Sequence, residues 1–267
     1  RYNSRRSKRI TMYIIDADTH ISNIKEGNSI TAEELIAMMD RAGIEKALTW
    51  IQPPYQRDLL PRLIEYLENS AKAYRDRIIP FGWVDPHLGI TNSKLLIRKC
   101  MLQYGFKGIK LNGAQNEYPV DDEELSIPLI REIADLGGII AFHCGADVRD
   151  YTHPYRIEKI LKMFPHIKFL MVHMGGASFS DFSDTAIEVA ERNNNVTLIG
   201  SAIRTRPLIN AIKRIGPERI AYGSDAPFEF PSVEISRYKA IFELEFPEDY
   251  YSEWIMSKTM QKVLGLE

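Results

Sequence analysis

The sequence predicts a single closed (β/α)8 barrel, an α/β fold, and three observations carry that expectation. Short runs rich in β-branched and aromatic residues alternate with longer amphipathic segments along the chain. Many of the short runs are apolar at consecutive positions, as parallel strands covered on both faces should be. The length, 267 residues, suits one barrel of about 250 residues. The competing arrangement is an open doubly wound sheet, which would usually place a glycine-rich phosphate loop after its first strand. Here that strand ends in acids and a histidine, with no glycine until Gly27.

The elements follow in order. A first strand at 12–19 (MYIIDADT) leads to a helix over 31–43, where Thr31 and Glu34 form a capping box and Gly43 supplies the stop. A strand at 45–51 precedes a helix over 60–77, which tolerates Pro61 in its first turn. Strands at 78–84 and 106–112 come next, then a helix over 122–138 whose start Pro128 should delay or kink. The strand at 139–145 is followed by a helix over 153–165, and the strand at 168–174 by one over 181–195. Strands at 196–200 and 219–225 flank a helix over 206–217, and helices over 233–245 and 249–265 close the chain.

Composition narrows the function. With 45% hydrophobic and 26% charged residues the chain reads as an ordinary globular protein. A formal net charge of −2 gives no electrostatic case for a nucleic-acid partner. No apolar run approaches the roughly 20 residues of a membrane span. Cys100 and Cys144 lie in apolar segments without CxxC spacing, so they read as buried free thiols suited to a reducing, cytoplasmic compartment. Residues 1–11 (RYNSRRSKRIT) are basic and lack the apolar core of a secretory signal. They are expected to be a disordered arm or a remnant of expression, with Met12 the natural start and 12–267 the catalytic barrel.

Barrel chemistry sits at the C-terminal ends of the strands, and that is where the polar residues fall. The first strand ends in Asp18-Thr19-His20, whose i, i+2 spacing puts a carboxylate and an imidazole on one face. Later strands end at His143, His173 and Asp225. Taken singly, His143 or His173 would read as a core histidine bonded to the backbone. Four strands delivering His or Asp to one rim instead read as a metal constellation, since Zn²⁺, Mn²⁺ or Fe²⁺ accept imidazole nitrogen and carboxylate oxygen. Asp16 reads as a structural carboxylate held by hydrogen bonds. Lys110 and Asn112 end the fourth strand, and Arg149 and Arg204 lie on the loops after later strands. They are candidate substrate contacts, arginine being suited to bidentate carboxylate binding.

Three stretches, HPYRIEKILKMFPHIKFLMVHMGG (153–176), GPERIAYGSDAPF (216–228) and the first-strand IIDADTHI, resemble the amidohydrolase-2 branch of the amidohydrolase superfamily. So does the fourth-strand FKGIKLN. The resemblance implies one divalent ion, most often zinc, held by Asp18, His20, His143 and Asp225, with His173 a catalytic histidine beside it. It implies a metal-dependent hydrolase in which an activated water attacks an amide, lactone or similar carbonyl of a small substrate, and the loop arginines suit an anionic one. Asp225 would move the water's proton and His173 would polarise the carbonyl. Many members carry HxH on the first strand, whereas a carboxylate at its first position occurs in the branch's decarboxylases. The alternative is therefore a non-oxidative decarboxylase on the same site, although the chain shows none of the long insertions such enzymes use. A barrel that only binds is the remaining reading, and it predicts a missing ligand. A homodimer is the expected assembly.

Overall fold

The computed structural model describes residues 12–52, 56–177 and 182–266. The arm expected at 1–11 lies outside the described residues, as does position 181, where the sequence places the start of a helix. Strand and helix alternate as β1 (Ile15–Ile21), α1 (Ala32–Ala42), β2 (Lys46–Ile51), α2 (Leu60–Ala73), β3 (Ile78–Pro80), β4 (Gly82–Trp83) and α3 (Ile90–Arg98). Next come β5 (Gly108–Leu111), α4 (Ile127–Asp135), β6 (Ile139–His143), α5 (Pro154–Met163), β7 (Phe169–Val172) and α6 (Ser183–Arg192). The chain finishes with β8 (Val196–Ile199), α7 (Thr205–Ile215), β9 (Ile220–Ala221), α8 (Pro231–Glu245), α9 (Asp249–Glu253) and α10 (Thr259–Leu264).

Every strand pairing is parallel, in the orders β1-β2-β3 and β4-β5-β6-β7-β8-β9. The two runs are one sheet. β3 and β4 are halves of a single stave, because the Phe81 amide between them donates to Thr49 O of β2 at 2.9 Å. Pro80 at the break has no N–H to give the ladder. The barrel closes where Ala17 N donates to Tyr222 O at 2.9 Å, His20 N to Ala226 O at 2.7 Å and Asp225 N to Asp18 O at 2.9 Å. The (β/α)8 barrel read from the sequence is the observed fold, and among the described residues its nine strand segments make eight staves. All residues of β1, β6, β7 and β8 are buried, which explains the nearly continuous apolar runs of β6, β7 and β8.

Local chemistry sets the helix ends. Thr31 Oγ1 accepts from Glu34 N at 3.3 Å while Glu34 Oε2 accepts from Thr31 N at 2.7 Å, and Gly43 closes α1 at φ 73°. Pro128 sits in the first turn of α4, which begins at Ile127 rather than 122. Asp122 instead starts a turn, its Oδ1 accepting from Glu124 N and Leu125 N. The helix read over 249–265 is divided by a π-helical turn at Trp254–Lys258. Helix α3 is an addition to the sequence reading, and it buries Leu96 and Ile97 in the core. Both cysteines are free and buried. Among the described residues no helix is long and apolar enough to cross a membrane.

Asp16 shows what closure costs electrostatically. Its Oδ1 accepts from Ser224 N at 2.8 Å and Asp18 N at 3.2 Å, joining β1 to the segment after β9. Burial nevertheless pushes its carboxyl up to about 7, against those hydrogen bonds. The folded chain therefore keeps a proton that the unfolded chain releases above about pH 4. Stability from this group is full below that pH and is lost as pH rises through about 7. Asp16→Asn, neutral throughout, should gain on the wild type by up to about 4 kcal/mol across that window. Urea unfolding at pH 4.5, 6 and 7.5 tests this, and parallel stability curves for the two proteins would refute it.

Candidate metal centre at the barrel mouth

β1 supplies Asp18 and His20 from one face, and the turn after β9 supplies Asp225. One donor atom from each lies within 4.8 Å of the other two, all three residues being buried. His20 Nε2 is 3.5 Å from both Asp18 Oδ1 and Asp225 Oδ1. His20 Nδ1 lies 3.0 Å from the Ile51 carbonyl, which can only accept, so Nδ1 carries a proton and Nε2 faces the carboxylates. Trp50 Nε1 donates to Asp18 Oδ1 at 3.0 Å and to His20 Nε2 at 3.1 Å. Ser201, just past β8, donates its hydroxyl to Asp18 Oδ2 and lies 3.0 Å from His173 Nδ1.

Burial would raise the Asp18 carboxyl, but the Lys110 ammonium and the His20 hydrogen bond outweigh it and hold the group well below the carboxylate range. Burial and Lys110 push His20 down, and the Asp18 and Asp225 carboxylates overcome both to raise it. Lys110 itself is held below the usual lysine range by burial, with Asp18 and Asp225 resisting. Among the described residues its Nζ is buried without a hydrogen-bond partner, 3.7 Å from Asp18 Oδ1 and 3.8 Å over the Trp50 ring.

The two remaining histidines face each other, ring centroids 4.8 Å apart at 80°. Close backbone contact sets that spacing: a Cβ on Gly145, at φ 70°, would lie 2.1 Å from Gly175 O. His143 is not part of the Asp18–His20–Asp225 cluster. Its Nε2 lies 3.1 Å from Asp147 Oδ2, and burial pushes the imidazole down to about 4. His173 follows β7 at φ 66°, and Asp147 and Asp225 also have positive φ, at 57° and 64°. Strained non-glycine backbone thus gathers where the strands end, as it does at functional sites.

A cavity of about 200 Å³ lies at this site, lined in part by His20, His143, His173, Asp225, Asn112, Gln115 and Asp147. Phe228 closes it edge-on to His20, ring centroids 5.5 Å apart. Of the substrate contacts expected from sequence, Asn112 lines the cavity, its Oδ1 accepting from Gln115 N at 3.1 Å. Lys110 lies behind Trp50, and Arg149 and Arg204 are exposed side chains outside the lining. Trp50, Ser201, Asp147 and Phe228 belong to the site and were not picked out from sequence. Ser201 was the most findable, since it follows a strand end as Asp225 does.

A parallel barrel whose first and last staves bring two carboxylates and an imidazole together beside a cavity at its mouth is a barrel enzyme of the metal-binding kind in its donor chemistry. The chain belongs to the amidohydrolase family Amidohydro_2, whose model matches residues 15–266. Among solved structures, 2,6-dihydroxybenzoate decarboxylase from Rhizobium is similar at 17% identity and TM-score 0.75, over 96% of this chain and 99% of that one. The 5-carboxyvanillate decarboxylase from Sphingomonas paucimobilis is similar at 14% identity and TM-score 0.74, over 95% and 99%. A dihydroxybenzoic acid decarboxylase from Polaromonas sp. JS666, solved with bound manganese and the inhibitor 2-nitroresorcinol, is similar at 18% identity and TM-score 0.75, over 96% and 97%. At these identities the likeness shows a shared fold. No curated protein matches the sequence.

Proposed function

We propose that this protein is a metal-dependent carbon–carbon lyase that removes CO₂ from a small aromatic or unsaturated carboxylic acid. The observation that carries the proposal is Asp18: a carboxylate, where many members have histidine, clustered with His20 and Asp225 within 4.8 Å. The fold-mates named above, which act on hydroxylated benzoates by their names, support it. So does the cavity, whose roughly 200 Å³ is below the usual 300–1,000 Å³ of ligand pockets and suits one small ring. This reading departs from the hydrolase expected first from the sequence.

Two carboxylate oxygens and one imidazole nitrogen, buried together with the imidazole proton fixed on Nδ1, fit a divalent ion such as Mn²⁺ or Zn²⁺. Asp18, His20 and Asp225 would hold it, with His143 near enough to the cavity to complete the set. When bound, the ion would supply positive charge that binds and orients the substrate carboxylate.

The protein's own groups do the rest. Ser201 engages His173 through Nδ1, which leaves Nε2 as the nitrogen for the cavity. His173 delivers a proton to the carbon that bears the carboxylate. The electron pair of the C–CO₂ bond then stays with that carbon, CO₂ leaves, and His173 recovers a proton from solvent. Asn112 offers its amide to a polar substituent, and Phe228 shields the reacting face from water.

The test is release of ¹³CO₂ from carboxyl-labelled dihydroxybenzoates by the Mn²⁺-loaded protein, run beside a panel of lactones and amides. Enzyme-dependent ¹³CO₂ supports the lyase. Lactone or amide hydrolysis without CO₂ would overturn it in favour of the hydrolase.

A further inference from the structure

Lys110 does not line the cavity, yet a cation sealed behind two carboxylates changes what they can bind. Its side chain is wholly buried, and its ammonium contacts Asp18 Oδ1 at 3.7 Å and the face of Trp50 at 3.8 Å. Trp50 in turn donates to Asp18 Oδ1 and His20 Nε2. The ammonium is thereby coupled to two of the three donors, directly and through the indole, by an ion pair and a cation–π contact.

We propose that Lys110 is a charge-setting residue, which makes the metal-loaded centre select a monoanionic ligand over an uncharged one of the same shape. The inference rests on the metal-dependent reading above. Two carboxylates offset the formal charge of a divalent ion, so one further buried cation raises the net charge that an incoming carboxylate meets. A buried ammonium adds one unit of charge that salt and water screen poorly. Asp147, the cavity's other carboxylate, is engaged by His143 and partly exposed to solvent, so it offsets Lys110 weakly. The same ammonium repels an incoming cation and competes for Asp18. Removing it should therefore move metal affinity and anion affinity in opposite directions, which a packing defect would not do.

The experiment is calorimetric titration of the full chain with Mn²⁺, then of the Mn²⁺-loaded protein with benzoate and with benzamide, for wild type and Lys110→Met. The expected result is Mn²⁺ bound at least as tightly by the variant, benzoate weakened about tenfold and benzamide unchanged. Joint weakening of Mn²⁺ and both aromatic ligands would make Lys110 a packing residue and overturn the inference, while the metal reading stands. Unchanged benzoate binding would do the same. Lys110→Gln is the second variant should circular dichroism show the first unfolded. If neither folds, equal affinity of the wild type for benzoate and benzamide overturns the inference. A wild-type chain that takes up no Mn²⁺ overturns both this inference and the proposed function.

Discussion

His173→Ala is expected to lower CO₂ release by about a thousandfold, within the usual range for loss of a general acid, while manganese content stays at the wild-type level. The expectation follows from position. His173 lines the cavity, but it is not one of the three residues whose donor atoms converge. Its Nδ1 is engaged by Ser201, whose hydroxyl donates to Asp18. The imidazole is thus oriented by the cluster without belonging to it. Elemental analysis of the purified variant beside its turnover separates the roles. Manganese lost together with activity would make His173 a ligand, and full activity would remove it from the reaction.

Asp18→Ala should have the largest effect on folding, destabilising the metal-free protein by about 3–5 kcal/mol. The aspartate is wholly buried and is the carboxylate 3.7 Å from Lys110, whose Nζ has no hydrogen-bond acceptor among the described residues. Deleting it strands an ammonium in the barrel interior and leaves the Ser201 hydroxyl without its carboxylate. Adding Lys110→Met to the same chain removes the stranded charge, so the double variant should regain most of the lost stability. Chemical unfolding of the wild type, both single variants and the double variant forms the cycle. Simple additivity of the two substitutions would show that the pair does not interact and would sink this account.

What was legible in the sequence follows from how directly each feature is encoded. The staves were readable because a strand buried on both faces must be apolar nearly throughout, and β6, β7 and β8 are. Asp18 and His20 were readable because strand alternation fixes two side chains two residues apart on one face. The division of the third stave was not readable, since it depends on which neighbour each half pairs with, β2 or β5. Helix α3 escaped because its stretch starts after Gly89 with no side-chain cap. Within the site, Trp50 sits in an apolar run where a core role was the natural reading, and only the fold shows its indole N–H aimed at Asp18 and His20. Arg149 and Arg204 were sensible carboxylate clamps by type, but loop direction is set by tertiary packing, and both side chains are exposed outside the cavity lining.

The closing hydrogen bond between Asp225 N and Asp18 O has a consequence for how the protein holds its ends. The candidate ligands straddle the seam where the opening and closing staves of the barrel meet, so a cation shared by them acts as a clasp across it. No fragment lacking either end of the barrel can assemble the cluster, and during synthesis it forms only after the last stave has emerged. A clasp that binds only the closed barrel adds about 4 kcal/mol against opening when the free ion stands a thousandfold above its dissociation constant. Metal starvation should therefore first appear as faster amide exchange and proteolysis along β1 and the segment after β9, with the middle staves still protected.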